Sequence, residues 1–99
     1  MTNKFIDFNE DILNRLKDAE YQKEFLNASL EDYMTDGDFK SFYKSLELVI
    51  KARGSVSEFA KNAKLNRRNL YSLFNGEKTP RLDTIVKLLN ELGYSLKIA

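Results

Sequence analysis

The residues with the most pointed chemistry lie in one short run, Arg67-Arg68-Asn69-Leu70-Tyr71-Ser72. Arginine can hydrogen-bond the O6 and N7 edge of guanine in a bidentate manner, and asparagine can do the same for adenine. On a helix that commits Leu70 and Leu73 inward, Arg67, Arg68, Asn69, Tyr71 and Ser72 face outward. Other chemical tools are missing. The chain has 99 residues with no cysteine and no histidine. Disulfides, thiolate nucleophiles, thiolate metal sites, the usual general base and the usual zinc ligand are therefore absent. The carboxylates of the first fifty residues have no histidine or nucleophile with which to complete a catalytic site. A binding protein is expected, not an enzyme, with no cofactor and no metal.

The elements that must position that run can be read from caps and breaks. A first short helix is expected from Asn9 to Leu16, and Asp18 can cap a second that runs to about Met34 with Phe25, Leu26, Leu30 and Tyr33 on one side. Asp36-Gly37-Asp38 resets the chain. Phe39, Phe42, Tyr43, Leu46, Val49 and Ile50 then recur at the i, i+3, i+4, i+7 spacing of an amphipathic helix that ends at Gly54. Ser55-Val-Ser-Glu58 has the form of a capping box, opening a helix with Val56, Phe59, Ala60 and Ala63 inward. After a tight turn, Asn66 can cap the short helix that carries the arginines, which ends near Asn75-Gly76. A last helix from about Leu82 is expected to bury Leu82, Ile85, Val86, Leu89 and Leu92 and to stop at Gly93. Tyr94 to Ala99 alternates apolar and polar, the pattern of a half-buried strand.

Two short helices joined this tightly cross steeply and leave the second protruding. Arg67 and Arg68 sit at its N-terminal end, the part of a recognition helix that contacts base edges. Lys78 and Arg81 flank the loop that follows and are placed for backbone phosphates, which fix docking without reading sequence.

Charge divides the chain. Residues 1–50 carry 6 Lys/Arg against 11 Asp/Glu, and residues 51–99 carry 10 against 4, although the net charge is only +1. An acidic half and a basic half suggest two kinds of partner. The N-terminus Met1-Thr-Asn-Lys-Phe-Ile-Asp lacks the apolar core of a signal peptide, and the longest strictly apolar run is Leu48-Val49-Ile50. A cytoplasmic protein without a membrane partner is expected.

Residues 38–92 resemble the Cro/phage-repressor (Xre-type) helix-turn-helix domain, and the run from Ser55 to Pro80 is the diagnostic part. More narrowly, the whole chain resembles the addiction-module antidote proteins, the HigA-like antitoxins. Leu16-Lys-Asp-Ala-Glu-Tyr, Phe25-Leu-Asn-Ala-Ser-Leu-Glu-Asp, Ala52-Arg-Gly, Arg68-Asn-Leu-Tyr and the ending Leu92-Gly-Tyr-Ser-Leu-Lys-Ile carry that likeness. The resemblance implies base reading by Arg67, Arg68 and Ser72, with Tyr71 near the backbone or a thymine methyl. It implies phosphate contacts at Ser55, Val56, Asn75, Gly76 and Lys78. It also implies a homodimer on operator DNA and a small basic RelE/ParE-type toxin to be neutralised. One departure is visible: the motif turn often has glycine where this chain has Lys64. A left-handed conformation there would cost about 1 kcal/mol.

The expected architecture is therefore all-α: a five-helix Cro/repressor-type helix-turn-helix domain with an N-terminal helical extension and a short C-terminal β-strand. Residues 1–37 would form the N-terminal arm, with Phe25, Leu26 and Leu30 as toxin-binding candidates. Residues 38–93 would form the DNA-binding domain, and residues 94–99 a dimerisation strand presenting Tyr94, Leu96 and Ile98 on one face. That strand needs a neighbour, either Lys4–Phe8, the toxin or, preferably, a second copy. The alternatives are a free-standing phage-like repressor and a protein–protein adaptor on the same scaffold.

Overall fold

The computed structural model describes residues 10–79 and 81–97. Six helices are found there: α1 over 10–15, α2 Ala19–Asp36, α3 Phe39–Arg53, α4 Val56–Asn62, α5 Arg67–Phe74 and α6 Leu82–Glu91. The all-α expectation holds for these residues. Four of the helices fall within 38–93, so five are reached only by including α2.

Local chemistry explains most boundaries. Asp18 accepts from the Glu20 amide at 2.9 Å and starts α2; Asp38 accepts from the Lys40 amide at 3.1 Å and starts α3. Ser55 and Asn66 accept from the amides three residues ahead, at 3.0 Å and 3.2 Å, and start α4 and α5. Each relieves one of the orphan donors of a first turn. The expected reach-back of Glu58 goes to the Ser55 hydroxyl, at 3.5 Å.

Three helices end alike. The Leu65, Glu77 and Tyr94 amides reach back to Ala60, Ser72 and Leu89 at 2.8, 2.9 and 2.8 Å, each past one left-handed residue. These are Schellman endings. Two use glycine, Gly76 and Gly93; the third uses Lys64 at φ 57, the one non-glycine residue with positive φ among those described. The departure noted in the sequence thus falls on a left-handed position.

Helix α3 touches α2, α4 and α5 and forms the centre of the molecule. Phe42, Tyr43, Leu46, Val49 and Ile50 are its buried face, and one cluster joins them to Leu16, Leu26, Val56, Ala60, Leu70, Leu73, Phe74 and the inner face of α6. The cluster runs unbroken across residue 37. Tyr43 lies fully inside it with a hydroxyl that has no hydrogen-bond partner among the described residues. Burial, with Tyr33 nearby, pushes this phenol up to about 12.

Two expectations are corrected. Helix α6 buries Ile85, Leu88, Leu89 and Leu92, while Leu82 is 69% exposed and Val86 only half-buried. Residues 85, 88, 89 and 92 form one i, i+3, i+4, i+7 stripe, and Leu82 and Val86 lie on its flank. The C-terminal strand is not formed among the described residues. Tyr94 is spent on the α6 cap, and residues 94–97 have no strand beside them. Ile98, like the Lys4–Phe8 segment considered as its neighbour, lies outside the described residues.

Candidate nucleic-acid interface

The turn between α4 and α5 is set by the Lys64 cap and the Asn66 cap, and it fixes how α5 leaves the surface. Leu70, Leu73 and Phe74 anchor α5 in the core at 1, 8 and 0% exposure. Arg67, Arg68, Asn69 and Tyr71 are exposed and Ser72 is half-buried. Arg68 and Ser72 share one line on the helix by their i, i+4 spacing.

The side chains differ in how they are held. Arg67 donates through Nη1 to the Ser57 hydroxyl at 2.9 Å, which leans it across to α4. Lys78 donates through Nζ to Asn69 Oδ1 at 2.9 Å, tying the following loop to the first turn of α5. Arg68 has no hydrogen bond or ion pair among the described residues. Arg67 and Asn69 are thus tied to neighbours, whereas Arg68, which is exposed, and Ser72, which is half-buried, are not. The Tyr71 ring stands edge-on to Phe74 at 6.4 Å, which fixes an otherwise exposed aromatic group.

The backbone candidates are also sorted by the structure. Ser55 is exposed and caps α4, while the Val56 side chain is buried at 4% exposure, leaving only its amide for a phosphate. Asn75 and Lys78 are exposed. Gly76 combines φ 74 with a close neighbour: an added Cβ would stand 2.7 Å from the Lys40 side chain. Arg81 is engaged with Asp83, at 3.2 and 3.3 Å, and its guanidinium hydrogen bond holds that carboxyl below the usual aspartate value. Lys61, Lys64, Arg67, Arg68 and Lys78 are exposed cations along this stretch, with Glu58 and Glu77 as the only acids between Ser55 and Thr79. The balance favours a polyanion.

The other candidates divide differently from the expectation. Leu26 is buried at 6% exposure, and Phe25 stacks on Tyr21 at 6.4 Å on a half-buried face of α2. Leu26 and Leu30 instead line a cleft of 420 Å³ together with Tyr94 and Leu96, flanked by Lys23 and Lys97. The toxin-binding and dimerisation candidates are thus partly neighbours.

Gln22 was not singled out by the sequence. It is 4% exposed and donates through Nε2 to the Leu16 carbonyl at 2.8 Å. Its Oε1 accepts from Arg53 and from the Tyr94 hydroxyl, the latter at 2.7 Å, while the Arg53 guanidinium lies 5.6 Å from the Tyr94 ring centroid. The available signal was its place one helical turn before Leu26 on the inward line of α2.

Among the described residues no group of His, Cys, Asp or Glu is arranged to hold a metal ion, and no helix is long and apolar enough to cross a membrane. Comparison with known proteins gives one family: the model described as probable addiction module antidote protein matches residues 6–99. No curated protein and no solved structure matches the chain.

Proposed function

The chain belongs to the family of probable addiction module antidote proteins, and from that premise we propose that it is a HigA-like antitoxin that also represses its own operon. An antidote implies a toxin to neutralise. The proposed toxin is a small basic protein of the RelE/ParE type, for which the acidic first half is the complementary surface. Exposed acids on α2, among them Glu20, Glu24, Glu31 and Asp32, supply that charge.

The proposed repressor activity uses α4 and α5 as a Cro/Xre-type helix-turn-helix, with α5 in the major groove. The observation that carries this reading is the exposed N-terminal half of α5. Its unpaired Arg68 stands beside the tethered Arg67, on a helix whose other face is locked in the core. Arg68, Arg67 and Ser72 read base edges, and Asn69 acts with Lys78 at the loop. Ser55, the Val56 amide, Tyr71, Asn75, Gly76, Lys78 and Arg81 meet the backbone. One such module spans too few base pairs to select a site, so a homodimer occupies two half-sites about 34 Å apart.

The test is made in cells that carry the neighbouring gene under inducible control and a reporter driven by the shared promoter. Growth arrest relieved by the antidote, together with a repressed reporter, is the expected result. Continued arrest with an unaffected reporter would overturn both halves.

A further inference from the structure

Gly76 meets two separate demands for glycine. Its φ of 74 is one, and Lys40 is the other: an added Cβ would stand 2.7 Å from both Cγ and Cε of that lysine and 2.9 Å from its Cδ. The Lys40 stem, rising from the first turn of α3, therefore lies flat across the glycine that ends α5. Left-handed geometry does not require such a cover. Gly37 and Gly93 have φ 76 and 90, and nothing stands within 4 Å of a Cβ added to either.

A lysine stem laid on a surface leaves its charged head in water. Lys40 is exposed, and its ammonium, one bond past Cε, has no hydrogen bond or ion pair among the described residues. The acids that precede it are otherwise engaged. Asp36 accepts from the Asp38 amide at 2.8 Å, and Asp38 accepts from the Lys40 amide and the Ser41 hydroxyl, each at 3.1 Å.

The loop under this lysine is short of free donors. The Asn75, Gly76 and Glu77 amides already donate to the Tyr71, Leu73 and Ser72 carbonyls, at 2.9, 3.0 and 2.9 Å. Lys78 is drawn to Asn69. A phosphate arriving at Gly76 would find that amide occupied and the Lys40 ammonium beside it.

We infer that Lys40 binds the phosphate backbone of duplex DNA and that Gly76 is the cradle that holds it at residues 75–78. A compact point charge suits that contact, which fixes docking without reading sequence. Lys40 comes from the acidic half of the sequence and from outside the α4–α5 pair, yet the fold adds it to the cationic stretch that carries Lys78. Two cations against Glu77 favour a polyanion at this loop and disfavour a basic protein. The inference rests on the proposed DNA reading and adds a residue to its docking surface.

Lys40→Met and Lys40→Arg test it, with duplex affinity measured across a salt series. Both keep an unbranched stem at an exposed position, so both should melt as wild type does. Lys40→Met should weaken cognate and unrelated duplexes alike, about tenfold at low salt, and lower the salt slope by about one per copy bound. Lys40→Arg should keep the wild-type slope. A Lys40→Met protein with wild-type affinity, a loss without a change of slope, or an equal loss in Lys40→Arg would mark Lys40 as mere packing and overturn the inference. The DNA reading would survive each of these results. A wild type without salt-dependent affinity for any duplex would instead defeat that reading, and this inference with it.

Discussion

Gln22 Oε1 accepts from both Nε and Nη2 of Arg53, at 3.1 and 2.6 Å, across 31 positions of sequence. Gln22 sits on α2 in the acidic half, and Arg53 closes α3 just before the cap of α4. A buried amide that satisfies the Leu16 carbonyl, Arg53 and Tyr94 at once joins the two halves of the molecule. Gln22→Ala leaves the Leu16 carbonyl unpaired and removes the acceptor from Arg53 and Tyr94. The expected loss is about 2–3 kcal/mol, seen as a lower urea midpoint with an unchanged slope. An unchanged midpoint would show that the junction contributes nothing.

Tyr43 predicts an alkaline weakness. Its phenol is raised in the folded protein from 10.0 to about 12, so the unfolded chain loses that proton first as pH rises. Stability is fully present below pH 10 and falls as pH passes from about 10 to 12, by up to about 3 kcal/mol from this group. Tyr43→Phe should be at least as stable as wild type at neutral pH, because it removes an unpaired buried hydroxyl. Thermal melts at pH 7 and pH 11 should show a smaller drop for the variant; equal drops would exclude Tyr43 as the cause.

Lys64 holds a left-handed conformation that glycine adopts without strain. Lys64→Gly should stabilise the protein by up to about 1 kcal/mol, raising the melting temperature by up to about 4–8 °C. Lys64→Ala keeps the strain and should give no such gain. If both variants melt like wild type, the strain argument at the turn fails.

Much of this architecture was legible because its signals are local. Asp18, Ser55 and Asn66 cap helices through bonds spanning two or three residues, and the α3 stripe is long enough to fix its inward face. Helix α6 was misread because Leu82 and Val86 are apolar too. Periodicity alone cannot choose between two overlapping stripes when packing decides which one faces the core. The Tyr94–Ala99 alternation matches a strand, but a strand exists only with a neighbour, and the Schellman ending takes Tyr94 first. Gln22 was invisible for a different reason: its partners Arg53 and Tyr94 lie 31 and 72 positions away. At the candidate site, the outward residues of α5 followed from Leu70 and Leu73. The distinction between a tethered Arg67 and an untethered Arg68 needed the position of Ser57.

The most direct measurement is fluorescence anisotropy of a labelled duplex from the chain's own promoter, titrated with wild type, Arg68→Ala and Lys78→Ala at several salt concentrations. Arg68→Ala should lose about 1–3 kcal/mol on the cognate duplex and relax the preference at one base pair. Lys78→Ala should weaken cognate and unrelated duplexes alike and lower the salt slope by about one. Wild-type binding with no preference for the promoter duplex, or Arg68→Ala binding it as wild type does, would contradict α5 as the reading helix.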